Sequence, residues 1–132
     1  SESSSVKEFN SIPYMIDYLT AVLPATHPLA KADNLPFEQL RGETFLLFPE
    51  HSFINDLCIR ECRNAGFEPH IAYTGNRGAT LIDLVRNGAG ITLMMHHSAR
   101  QENDSSLAFK EKPLSPQAES FVRYVKAHKR DF

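Results

Sequence analysis

The chain reads as an α/β domain with a largely parallel sheet and flanking helices. Short apolar runs alternate with amphipathic runs of helical period, and the links between them are short and carry glycine or proline. The clearest case is Arg63 to Gly90. One helix ends at Asn64-Ala65-Gly66-Phe67 with Pro69 behind it, and a short apolar strand follows. A second helix then stops at Asn87-Gly88-Ala89-Gly90 before Ile91-Thr92-Leu93-Met94. Strands and helices in this alternation pack helices onto a parallel sheet.

Each element follows from local pattern. Tyr18 to Leu23 alternates as a strand does, and Pro24 to Asp33 is a loop holding His27-Pro28-Leu29-Ala30. Pro36 to Leu40 is a short helical turn closed by Gly42, and Thr44 to Phe48 is an apolar run that suits a strand covered on both faces. Ser52 caps the next helix, whose buried stripe is Ile54, Leu57, Cys58, Cys62 and Ala65. Asp56 sits near its positive end. Gly66 supplies the left-handed residue after the helix, and Phe67 folds back on the stripe. Ile71 to Tyr73 is a strand and Thr74-Gly75-Asn76 a turn and cap cluster. The helix burying Leu81, Ile82, Leu84 and Val85 follows, and then strand Ile91 to Met95. His96 to Ser106 shows no period and is expected as loop, and Leu107 to Lys110 as a last short strand. Ser115-Pro116 opens the final helix, about residues 115–127, with Ala118, Phe121, Val122 and Val125 inward.

A length of 132 residues suits one domain with one core. The net charge of −2 provides no global attraction to nucleic acid phosphates. The basic tail Arg123, Lys126, His128, Lys129 and Arg130 is accounted for as cations complementing a helix C-terminus. No apolar run is long enough to cross a bilayer, so no membrane partner is expected. Residues 1–11 lack the pattern of a secretory signal and are expected to be a flexible leader or an expression remnant. Cys58 and Cys62 share a helix face at a spacing that does not favour a bridge, and a lone C-x-x-x-C is not a metal site. Two unbridged thiols suit a reducing, cytoplasmic setting.

Candidate functional residues lie where strands hand over to helices, because the carboxyl ends of parallel strands form a crevice and helix N-termini present free N–H groups there. One such place holds Phe48, Pro49, His51 and Ser52, and the other Thr74, Asn76, Arg77 and Thr80. A carboxylate would find N–H groups, hydroxyls and a guanidinium at the second. The structural alternative is that Ser52 and Thr74 or Asn76 only cap helices. No catalytic residue is singled out. Ser52, His51 and Asp56 are neighbours in sequence, but no serine sits in a nucleophile elbow. Gly75-Asn76-Arg77-Gly78 lacks the Gly-Lys-Ser/Thr ending of a phosphate loop. Neither metal nor cofactor is expected. Adjacent His96 and His97 at a strand end would point apart.

The order of these segments resembles the effector-binding domain of LysR-type bacterial transcriptional regulators. The strand Leu19 to Pro24, the loop His27-Pro28-Leu29-Ala30 and the segment Gln39 to Leu46 stand where that family has a strand, an "HPLA" loop and a "dL.g..fi" stretch. Ala65-Gly66-Phe67 with Pro69, then Leu84-Val85 with Gly88-Ala89-Gly90-Ile91, and finally Leu114 to Ala118 with Phe121 continue the match. It runs from about Ile12 to about Val125. The resemblance implies the second lobe of a periplasmic-binding-protein-like (type II) fold, with residues 12–132 as a piece of the effector-binding domain. It implies a small-molecule effector and DNA binding only through a helix-turn-helix that these residues do not include. It also implies self-association through the helix Ile54–Ala65 and the strand His70–Tyr73. Departures are the absence of most of the first lobe, a short stretch between Met95 and Leu107, and Met94-Met95-His96-His97 where the family often has proline. The alternatives are a solute-binding protein for transport, whose fold is similar, and a small α/β hydrolase.

Overall fold

A computed structural model describes residues 18–102 and 104–128; the expected leader, Lys129 and Arg130 lie outside them. The strands are β1 (Tyr18–Pro24), β2 (Thr44–Leu47), β3 (His70–Thr74), β4 (Thr92–Met95) and β5 (Leu107–Pro113). The helices are α1 (Phe53–Asn64), α2 (Gly78–Arg86), α3 (His96–Arg100) and α4 (Pro116–Ala127), with a 3-10 turn at Phe37–Leu40.

The α/β class holds, and the sheet is mixed. β2 and β3 pair in parallel, and Phe45 bridges Ile91 in parallel just before β4. β1 alone runs against the rest, antiparallel to both β4 and β5, so the other four described strands share one direction and the sheet is largely parallel, as expected. β4 and β5 flank β1 and run the same way, and the chain passes between them through α3, the helical crossover that parallel strands usually need. Two 2.8 Å bonds, Ile91 N–H to Thr44 O and Leu46 N–H to Ile91 O, join the two ladders. They give the strand order β3-β2-β4-β1-β5.

Both faces are covered. Leu19, Ala21, Leu23, Phe45, Leu47 and Leu93 face one core with α1 and α4. Val22, Leu46 and Met94 face the other with α2 and Ala99 of α3. This is the period-2 alternation of a sheet buried on both sides. Phe53 of α1 stacks on Phe121 of α4 with centroids 5.7 Å apart. Full burial of a residue such as Leu57 is worth about 2 kcal/mol.

The helix ends follow from sequence. Ser52 accepts from Asn55 N–H, and Ser115 from Ala118 N–H. At the end of α1, Gly66 N–H donates to Arg63 O and Phe67 N–H to Cys62 O, which turns the chain and returns Phe67 to the core. α2 closes with the same pair of bonds, from Gly88 and Ala89. Gly90 has a different duty: a Cβ there would lie 2.5 Å from Thr44 O, so only glycine lets β2 approach.

Two expectations are corrected near the C-terminal end. His96 to Arg100 is a short helix, not loop, and β5 extends to Pro113. One buried charge escaped the sequence reading. Glu61, 1% exposed, accepts from Ser115 Oγ at 2.6 Å and has Lys112 Nζ 3.1 Å from its other oxygen as an ion pair. This cluster ties β5 and the start of α4 to α1. A buried carboxylate is held only by such partners.

Candidate functional site

β2, β3 and β4 run the same way, so their carboxyl ends share one end of the sheet. The two candidate turns meet there. Gly75 N–H donates to Leu47 O at 3.0 Å, and a Cβ on Gly78 would sit 3.7 Å from the Phe48 ring. Phe48 to Ser52 and Thr74 to Thr80 are therefore neighbours across one ridge.

The first turn is a closed hydrogen-bonded unit. Ser52 Oγ donates to Pro49 O at 2.6 Å and accepts from Asn55 N–H, and Asn55 Nδ2 donates to Phe48 O at 2.8 Å. The Ser52 hydroxyl has thus spent its proton on the backbone and acts as a helix cap. His51 is exposed, with a left-handed backbone at φ 69. Phe48 and Pro49 are half-buried.

The second turn is open. Thr74 ends β3 and Asn76 is exposed, and neither caps α2. The cap position belongs to Arg77, which makes no side-chain cap bond. Thr80 N–H and Leu81 N–H return to Arg77 O, which leaves the N–H groups of Gly78 and Ala79 with no such bond. The Arg77 side chain is exposed and makes no ion pair with any described residue. Orphan N–H groups, the positive end of a helix dipole and a guanidinium then coincide.

A cleft of about 300 Å³ lies at the same end, on the α2 and α3 side of the sheet, lined by Thr20, His96, Ala99, Arg100, Phe109 and Glu111. None of these was singled out as a ligand contact. Their convergence depends on register, since Thr20 stands opposite both Met94 and Glu111, and on α3. The available signal was the spacing of residues 96, 99 and 100, which places them on one helical face. His96 Nδ1 lies 3.0 Å from Glu111 Oε2. His97 points outward beside Gln101, and among the described residues no cluster of three His, Cys, Asp or Glu is placed to hold a metal ion.

The cysteines are inert by position. Both are free and buried. Burial, with the neighbouring Cys62 and Glu61 adding to it, pushes the Cys58 thiol well up. Burial and then Glu61 and Glu68 push Cys62 up to about 12. His27, at the opposite end of β2, holds a turn. Its Nδ1 accepts from Leu29 N–H and its Nε2 faces Glu43 at 2.9 Å.

The model of the LysR substrate binding domain matches residues 2–110. The chain belongs to this family. It is 36% identical over 74 residues to the transcriptional dual regulator GltC of Bacillus subtilis, covering 56% of the chain and 25% of that protein. It thus spans a quarter of that regulator's length. The regulatory domain of CcmR from Synechocystis PCC6803, in complex with 2-PG, superposes with a TM-score of 0.64 at 18% identity, over 87% of this chain and 64% of that one. The effector-binding domain of QuiR in complex with shikimate superposes with a TM-score of 0.61 at 20% identity, over 83% and 62%. At such identities the likeness establishes the fold, that of LysR effector-binding domains, a type II periplasmic-binding-protein-like architecture. GltC is a transcriptional regulator, and the two superposed structures are a regulatory domain and an effector-binding domain. Among the described residues no helix is long and apolar enough to cross a membrane.

Proposed function

We propose that this chain is the second-lobe wall of an effector-sensing domain, which binds a small carboxylate at the carboxyl ends of β2 and β3. The observation that carries the reading is Arg77, exposed and without an ion-pair partner among the described residues, beside an α2 N-terminus that no side chain caps. Phe48, Pro49, Thr74, Asn76 and Thr80 complete the wall, with His51 at its rim. Ser52 contributes by holding the first turn and not as a donor. The 2-PG and shikimate complexes of the structurally similar CcmR and QuiR domains support a small-molecule effector. DNA is gripped by a separate helix-turn-helix domain in the cytoplasm, and this domain catalyses nothing.

The outer edge of β3 and the exposed flank of α1 carry self-association. Among the described residues β3 is an edge strand paired only with β2, and Tyr73 on it is a large exposed hydrophobic residue. Such an edge is a ready template for a partner.

The test is Arg77→Ala in the full-length regulator, read as effector-dependent transcription from its promoter. The effector response is expected to fall with the thermal midpoint of the protein unchanged. A normal response would refute the assignment, and loss of folding would assign Arg77 a structural role.

A further inference from the structure

The cleft beside α3 holds a chemistry that the second turn does not use. Thr20 is 2% exposed, and its Oγ1 is buried with no hydrogen-bond partner among the described residues. A buried polar group is rarely left so, and each case calls for an explanation. Thr92 carries the other such hydroxyl, but it is not among the residues lining this cleft. Around Thr20 the lining offers one guanidinium, Arg100, which makes no ion pair with any described residue. It offers one carboxylate, Glu111, directly opposite Thr20 in the β1–β5 ladder and facing His96. Phe109 and Ala99 give it an apolar side.

We propose that this cleft binds a small α-amino acid with an apolar side chain, as a zwitterion. A simple carboxylate would meet Arg100 but also Glu111, and a simple amine would meet the reverse. A ligand carrying both charges meets both groups, its ammonium on the Glu111 oxygen that His96 does not face. Its ammonium is placed toward Glu111 and the Thr20 hydroxyl, which can accept. Its carboxylate is placed on Arg100, a group suited to carboxylates, and its side chain lies on Phe109 and Ala99. The volume of about 300 Å³ is at the low end of small-molecule sites and limits the ligand to this size. The proposal takes its purpose, sensing, from the reading above, but its geometry is independent of Arg77.

The experiment is a titration of this chain with L-leucine, followed by NMR of methyl and amide signals. Saturable shifts are expected at Thr20 and Ala99. N-acetyl-L-leucine and L-leucinamide, each lacking one charge, are expected to bind about tenfold more weakly or worse, as for loss of a hydrogen bond to a charged group. Thr20→Val and Arg100→Gln should each weaken leucine binding by a similar factor while leaving the remaining spectrum in place. No saturable shift would overturn the proposal, as would leucine binding unchanged in both variants. Shifts confined to Thr74–Thr80 would also overturn it and leave the carboxylate reading standing. A normal effector response in Arg77→Ala would remove that reading alone and leave this one.

Discussion

Replacing Gly90 by alanine tests how the two ladders are joined. The new Cβ would lie 2.5 Å from Thr44 O and 3.2 Å from Thr44 C. Those atoms are backbone, so relief requires β2 and β4 to separate. Separation weakens both bridging bonds, Ile91 N–H to Thr44 O and Leu46 N–H to Ile91 O. Weakening the pair costs about 1 kcal/mol, half of their combined net worth, and forcing an extra methyl into a packed contact costs about 1–3 kcal/mol. The sum, about 2–4 kcal/mol, is a large share of the ~5–15 kcal/mol that holds an ordinary domain folded. At roughly 4 °C per kcal/mol the thermal midpoint should fall by roughly 8–16 °C. The assay is urea unfolding at 25 °C, where the midpoint should move and the slope should not. Gly88→Ala is the control. It has φ +85 but no atom within 4 Å of its Cβ, so only the conformational term applies. That term is about 1–2 kcal/mol. Equal losses in the two variants, or a loss under ~0.5 kcal/mol in Gly90→Ala, would refute the steric argument.

Further outcomes follow from the same geometry. Ser52→Ala should cost about 1 kcal/mol, because Ser52 is a working cap, whereas Thr74→Ala should leave the urea midpoint nearly unchanged. Cys58 and Cys62 should react with a disulfide reagent at pH 8 only when the chain unfolds, since burial holds both thiols protonated. The Ser106 backbone N–H, the Ser106 hydroxyl and Arg86 together hold the Asp104 carboxyl down to about 2. Its folded value is depressed, so its contribution is fully present above the ordinary carboxylate range and is lost as pH falls through about 2. A carbon-detected titration of Asp104 checks this, and Arg86→Gln should raise the midpoint. The chain alone should give no sequence-dependent mobility shift with DNA at moderate salt.

The elements that declare themselves locally were legible. α1, α2 and α4 each carry an apolar stripe at helical spacing, and Ser52, Gly66 and Ser115 mark their ends by side-chain or backbone chemistry that acts within a few residues. What depends on distant parts of the chain was not. Alternation in Tyr18–Leu23 says that a strand forms but not which way it runs. The antiparallel course of β1 depends on partners in β4 and β5. α3 has five residues and buries only Ala99, too little for a stripe to show. Glu61 breaks the α1 stripe as a charge, and its partner Ser115 is 54 residues further on. Within the candidate site, the sequence marked both turns but could not rank them. A serine before a helix is legible as a cap, whereas an arginine left unpaired is defined by what fails to approach it.

The mixed sheet also explains why the second turn and the cleft share one end of the molecule. β4 runs with β2, so its carboxyl end delivers His96 and α3 beside Phe48 and Thr74. β1 runs against that set and β5 runs with it on the far side of β1, and their register brings Thr20 and Glu111 level with Met94. Met94 is then the side chain between the two places. It is paired with Thr20 across the ladder, and its Cε would lie 3.8 Å from a Cβ on Gly78 at the start of α2. β1 is the strand that runs against the rest, set between β4 and β5, and the α3 crossover that joins those two lies beside its Thr20. The departure from a parallel sheet is thus the feature that builds the cleft.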